Sequence, residues 1–329
     1  MAIPDNTTTT KTAGPKLTVA PSPHVVKAGD TTQRMMVDVL IALVPPMAMA
    51  IYLFRQFAVQ QLLICVVSCL AAETLFVKMR RKSLTLKDMS AVVTGIILAL
   101  SLPATAPWYA GVIASLVAIG IGKIIFGGLG MNIFNPAMVG RAFVMISFAG
   151  AMGAAAYQQT GAMVDAITMA TPMDALKQSG EMTPLMDLFW GLTNGSIGET
   201  SALAALMGGL YLCLRRTASW QIPLGVILAS AIFGGLADLA GGFHGALLLH
   251  HLLGGALLFG AFFIATDPVT SPLTAKGKFL FGIGVGSLVM LLRLFSGYPE
   301  GVMFAVLLMN AVTPLINRWT RPQTFGEHW

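Results

Sequence analysis

Apolar residues fall in long runs separated by short polar breaks, and the length of the runs is the first signal in this chain. Runs long enough to enter the roughly 30 Å hydrocarbon core of a bilayer occur at 35–54, 57–77, 89–103, 108–127, 136–150, 198–214, 221–240, 245–265, 279–296 and 300–317. The pattern predicts an all-α integral membrane protein with about ten transmembrane helices. The third and fifth runs are short and carry Pro103 and Pro136 at their ends. Broken or tilted helices, supported by neighbours rather than by lipid, are expected there.

The two halves of the chain echo one another. Met131-Asn-Ile-Phe-Asn-Pro136 reappears as Met309-Asn-Ala-Val-Thr-Pro314, and Leu100-Ser-Leu-Pro103 as Ala265-Thr-Asp-Pro268. Two five-helix halves have opposite orientations, so the expected plan is a pair of inverted repeats whose discontinuous helices meet near the midplane. The organisation follows: an arm at 1–34, a first transmembrane half at 35–150, a long loop at 151–197, a second half at 198–317 and a tail at 318–329.

Composition agrees. Hydrophobic residues make up 56% of the chain and charged residues 10%, too little polar surface for a water-soluble protein of this length. The net charge of +6 would suggest nucleic acid in a soluble protein; here Lys and Arg report topology instead, and no nucleic-acid partner is expected. A cytoplasmic N-terminus leaves only Arg55, Lys177 and Arg293 on or near the outside and Arg141 within a run. Both termini are therefore expected in the cytoplasm and the 151–197 loop in the periplasm of a bacterial inner membrane. The arm has no apolar core of a signal peptide.

Some candidate chemistry can be set aside. Cys65, Cys69 and Cys213 lie in apolar runs without the spacing of a zinc or iron–sulfur site. His244, His250 and His251 have no accompanying ligand cluster and read as structural. No Walker loop, dinucleotide fingerprint or nucleophile triad is present, so a partner must handle any nicotinamide.

Other residues are costly unless used. Asn132 and Asn135 lie three residues apart, close to the intramembrane Arg141. They serve either to satisfy broken-helix backbone groups or to hold a ligand with a donor and acceptor edge. Asp267, in Thr266-Asp-Pro-Val-Thr, is either a cap for the next helix or a ligand for a coupling ion. Asp38 and Glu73 sit in the first two runs and are candidate carriers of H+ or Na+.

Five further segments carry a family resemblance: Asp88–Gly95, Phe126–Phe143, Gly195–Ser201, Ala265–Pro272 and Gly297–Asn310. In the long loop, Val164-Asp-Ala-Ile-Thr-Met-Ala-Thr171 is similar to a flavinylation signature, Asp-Gly-x-Ser/Thr-Gly-Ala-Thr, with Ala166 and Met169 where that pattern has Gly. Alone, Thr171 would be an ordinary loop threonine. Taken in order over residues 23–317, these segments resemble the RnfD family and its sister, the B subunit of the sodium-pumping NADH:quinone oxidoreductase. The Thr-Pro after the signature and the short arm are closer to RnfD.

The resemblance implies a membrane flavoprotein subunit that transfers electrons within an Rnf-type complex linking NADH and ferredoxin to Na+ or H+ movement. It implies FMN joined to Thr171 by a phosphoester, with Asp165 and Thr168 in its signature. It also implies a second, non-covalent flavin, riboflavin or a relative, near Asn132, Asn135 and Arg141. Implied partners are the other membrane and peripheral subunits, one of them also flavinylated. The rival expectation from the residues alone is a small-solute transporter or channel built on an inverted repeat.

Overall fold

In lipid every backbone N–H and C=O must be paired within the protein, so a chain this apolar folds as helices. The computed structural model describes residues 31–82, 86–152, 156–157, 167–168, 171–178, 182–193, 195–239, 247–296 and 300–321. Asp165, His244 and both terminal segments lie outside the described residues, and of Thr168 only the backbone is described.

Helix α1 (Thr32–Phe54) starts at Thr31, whose hydroxyl accepts the Arg34 N–H at 3.2 Å. Helix α2 (Gln56–Met79) follows, then a 3-10 turn at Leu86–Asp88 and α3 (Ser90–Ser101). Helix α4 (Trp108–Ile119) runs on into a π turn at Gly120–Ile124. Helix α5 (Pro136–Ser147) is capped by Asn135, which accepts the Met138 N–H. A short α6 (Ala149–Met152) leads to strands β1 (Ala156–Tyr157) and β2 (Ile167–Thr168), an antiparallel pair, and then to α7 (Pro172–Gln178) and α8 (Leu185–Trp190).

The second half opens with α9 (Ala202–Leu214), capped by Ser201, and α10 (Gln221–Leu239). Next come α11 (Leu247–Leu253) and α12 (Leu257–Phe259), the latter continuing as a π turn at Gly260–Ile264. Helices α13 (Ala275–Phe295) and α14 (Val302–Trp319) end the described fold. By length and composition α1, α2, α10, α13 and α14 are able to cross a membrane; α3, α4 with its π turn, α5 and α9 are apolar but shorter. The chain is a multi-pass, helical membrane protein.

The short helices have a packing explanation. Almost all of α3 is buried, with Leu98, Leu100 and Leu102 fully enclosed, so protein rather than lipid is its solvent and bilayer thickness does not set its length. By contrast Leu63 and Val67 on α2 are each 60% exposed and face the lipid. The third run holds one helix of 12 residues, while the fifth holds the 12 residues of α5 and then breaks at Phe148 before α6. Pro136 stands in the first turn of α5, where no N–H is needed.

A further break lies in the 245–265 run. Helix α11 stops at Leu253 and α12 resumes at Leu257, across Gly254 and Gly255. Gly255 has φ +67°, a left-handed conformation that glycine adopts without strain. Each half packs in the same manner: α2 touches α3 and α4, and α4 touches α5, as α10 touches α11 and α13, and α13 touches α14. The halves meet where α1 crosses α9 and where α5 crosses α14.

Candidate functional site

Polar side chains gather in two places, at opposite ends of α9. One cavity is lined by Leu212, Thr217 and Ala218 at its C-terminal end, the other by Glu199 and Thr200 at its N-terminal end. Helix α9 has 13 residues, which separates these linings by about 20 Å.

The cavity at the C-terminal end contains about 800 Å³ of empty space, counting its open mouth. Asn132, Asn135, Lys123, Ser90, Thr266 and Asp267 provide its polar lining. The glycine-rich segment before α5 brings the amides here: Gly127, Gly128 and Gly130 all take positive φ. Asn135 Nδ2 donates to Ile264 O at 3.3 Å, at the end of the second π turn. The echo motif arrives from α14, where the Asn310 amide, assigned the orientation that satisfies both its ends, accepts the Asn135 backbone N–H at 3.0 Å and donates to Val306 O. Asn132 Nδ2 donates to Phe134 O, while its Oδ1 is buried without a hydrogen-bond partner among the described residues.

Lys123 lies within the first π turn and is 2% exposed. Its Nζ stands 2.9 Å from Glu73 Oε1 and 2.6 Å from Ser90 Oγ, and Ser90 in turn donates to Asp88 Oδ1. Glu73 is therefore one member of a buried ion pair, with its cation on the wall of the cavity. Asp267 does not cap the next helix, whose N-cap is Thr274; it closes a local turn, accepting from Val269 N at 3.1 Å and Thr270 Oγ1 at 3.3 Å, and also lines the cavity. Asp38 is outside this group; it accepts from Arg215, Tyr211 and Thr217 and fastens α1 to the end of α9.

The second place is built around Arg141. Six residues after Asn135, about 9 Å further along α5, Arg141 points to the other end of α9 and not to the amides. Its Nη1 donates to Glu199 Oε1 at 3.0 Å and its Nη2 to Ser196 Oγ at 3.3 Å; Glu300 Oε2 is 3.8 Å away. Ser196–Gly198 is held by backbone bonds to α3, Ile197 N to Leu102 O and Gly198 N to Leu100 O. Thr171, the first residue before α7, borders a small cleft with Glu199, Thr200, Gly255 and Glu300.

The broken helix ends at the same place, and charged side chains satisfy its exposed backbone. Arg293 donates to His251 O at 2.6 Å and Gly254 O at 3.0 Å, at the C-terminal end of α11. Glu300 Oε1 accepts the Ala256 N–H at 3.1 Å, at the entry to α12. Cation at the carbonyl end and anion at the N–H end is the arrangement that helix dipoles favour. His250 contacts Thr183 O, and no group of metal-ligating residues occurs among the described residues.

The profile of the NQR2, RnfD, RnfE family matches residues 18–326. The chain belongs to this family. It is 45% identical to the D subunit of the Na(+)-translocating ferredoxin:NAD(+) oxidoreductase complex of Acetobacterium woodii, covering 94% of this chain and 95% of that one. It is 41% identical to the D subunit of the proton-translocating ferredoxin:NAD(+) oxidoreductase complex of Clostridium ljungdahlii, covering 94% and 96%. The D subunit of the ion-translocating oxidoreductase complex of Stutzerimonas stutzeri is 39% identical, with 91% and 93% covered.

The residues fit the groups expected for this family. In the amide cavity the orphaned Asn132 Oδ1 supplies an acceptor in the wall, of the kind that the donor edge of a fused-ring ligand requires. Thr171 is half-buried and presents a hydroxyl at the rim of the smaller cavity. Sequence reasoning paired Arg141 with the amides and passed over Lys123, Glu199, Arg293 and Glu300. Lys123 and Glu300 lie in or beside the family segments, yet nothing local marks their partners: Glu73 is 50 positions from Lys123, and Ala256 is 44 from Glu300.

Proposed function

We propose that this family member is the D-type component of an ion-translocating oxidoreductase complex of the bacterial inner membrane, and that it carries electrons through two flavin sites. The observation that carries the reading is the extent of the family match, nearly end to end, with relatives named as the D subunits of such complexes. The partners would be the remaining membrane and peripheral subunits, one of them also flavinylated. The coupling ion is Na+ or H+: relatives at 45% and 41% identity bear names with different ions, so overall likeness does not choose between them.

In this reading Thr171 attaches FMN through a phosphoester, with Asp165 and Thr168 forming the recognition signature. Asn132 and Asn135 orient a second, non-covalent flavin, riboflavin or a relative, and the Lys123 ammonium biases the electrostatics of that cavity. Arg141 belongs to the Thr171 end. A bound flavin supplies one-electron and two-electron chemistry; the protein supplies position, exclusion of water and fixed charge. Asp38, Glu73 and Asp267 remain the candidate stations for the coupling ion, and an ion reaching Glu73 would compete with the Lys123 ammonium. The equivalent helix contacts in the two halves support the inverted-repeat plan, with both termini cytoplasmic and the 151–197 loop periplasmic.

The test is the fate of flavin on denaturation. On a denaturing gel the protein should fluoresce under ultraviolet light, and Thr171→Val, which keeps shape and removes the hydroxyl, should be dark. A fluorescent Thr171→Val band, or an FMN adduct at another residue by mass spectrometry, sinks the attachment. A dark wild-type band would favour the transporter reading.

A further inference from the structure

Two carboxylates at the Thr171 end share one guanidinium, and the sharing is unequal. Glu199 has the direct ion pair with Arg141 at 3.0 Å, whereas Glu300 stands 3.8 Å from the same side chain, beyond hydrogen-bond distance. The other nearby cation, Arg293, commits both terminal nitrogens to the carbonyls of His251 and Gly254. The backbone donor to Glu300 is a neutral one, the Ala256 N–H. Glu300 thus lies largely buried beside a second carboxylate, holding only the longer of the two Arg141 contacts, and it borders the same cavity as Thr171.

We propose that Glu300, braced by Glu199, is the proton acceptor that answers electron arrival at Thr171. This rests on the reading of Thr171 as the flavin attachment point. One electron leaves a one-electron iron–sulfur or flavin carrier of a partner subunit, oxidising that carrier by one, and adds one negative charge within the cavity. One proton from water then converts the Glu300 carboxylate to the acid, and the local charge is unchanged by the combined step. The electron resides on the Thr171 group and the proton on Glu300; no bond to the flavin is required.

Two features make Glu300 suitable. It lies between α13 and α14, outside both helices, and its side chain retains 16% exposure. Burial, then the charge of Glu199 and a hydrogen bond with it, push the Glu300 carboxyl above the usual range, against the opposing charges of Arg141 and Arg293. A group so poised changes protonation with a small change in nearby charge.

The experiment is infrared spectroscopy of the full-length flavinylated protein, following the carbonyl stretch of a protonated carboxylic acid through a pH titration. The oxidised and dithionite-reduced forms are compared. In the wild type a band should titrate, with its midpoint moving to higher pH on reduction. Glu300→Gln should abolish the band and Glu300→Asp, which keeps the acid, should restore it. Glu199→Gln, which removes the neighbouring negative charge, should move the midpoint to lower pH. In Thr171→Val the band should remain and no longer respond to reduction. A band that persists in Glu300→Gln, or a wild-type midpoint indifferent to reduction, overturns the proposal. Mass spectrometry of the same samples reads the Thr171 adduct independently, so an absent adduct overturns the flavin reading and is not mistaken for a failed carboxyl assignment.

Discussion

Lys123 and Glu73 illustrate how a membrane interior handles charge: the ammonium and the carboxylate are 2% and 0% exposed and 2.9 Å apart. Each alone would be costly to bury, and the pair persists because each cancels the other. Lys123→Met should therefore leave Glu73 uncompensated and cost roughly 3–5 kcal/mol, read as a lowered unfolding temperature in detergent. Lys123→Met with Glu73→Gln should recover much of the loss; a double variant no better than the single one would contradict the pairing. The amides make a separate prediction. Asn132→Leu with Asn135→Leu keeps approximate volume and removes hydrogen bonds worth about 0.5–1.5 kcal/mol each. Flavin extractable by denaturation should fall while gel-stable fluorescence persists, and unchanged extractable flavin would mean that these residues only support the helix break. At this scale the sequence reveals caps better than partners. Asn135 stands beside Pro136, and such local grammar is legible, whereas Asp267 beside Pro268 closes only a local turn and Thr274 caps the next helix; the Lys123–Glu73 pair joins residues 50 positions apart, and no local rule announces it.

Among the elements, α10 and α13 form the most intimate pair, and the seam is made of glycine. A Cβ at Gly225 would stand 2.7 Å from Phe279 O and 2.9 Å from Ile283 N, with Gly282 and Gly286 opposite presenting similarly tight approaches. Backbones that close exchange dispersion contacts that bulkier residues would prevent. Gly225→Val should force the helices apart and reduce thermal stability in detergent markedly more than Leu236→Val on the exposed side of α10; equal effects would show that the seam is not tight. Lengths of apolar runs were sufficient to place these helices, because bilayer thickness acts on length directly. Breaks were harder to place. Proline drew attention to 89–103 and 136–150, yet a proline at a helix start is favourable. A further interruption fell at Gly254 and Gly255, where a left-handed residue was needed and where Arg293 and Glu300, distant in sequence, were available for the freed backbone groups.

For the whole molecule, the charge pattern sets the orientation to be tested. With basic residues retained inside, alkaline phosphatase fused near Lys177 should be active and the same enzyme fused after Arg321 inactive; the reverse result would invert the protein in the membrane. Orientation also decides which solution each polar chamber meets; in the proposed orientation the amide cavity would face the cytoplasm and the Thr171 cavity the periplasm. The two are linked by α5, which begins at Asn135 in one and delivers Arg141 to the other. Between these residues Ala137, Met138 and Gly140 are buried and apolar. A hydrated ion attempting that short path would have to shed its water for no replacement ligands, at a cost far above thermal energy. An electron passed between ring systems on either side needs no such solvation. If the proposed flavin sites are filled, helix α5 would insulate as well as connect, closing to leakage the line along which charge would be handed across.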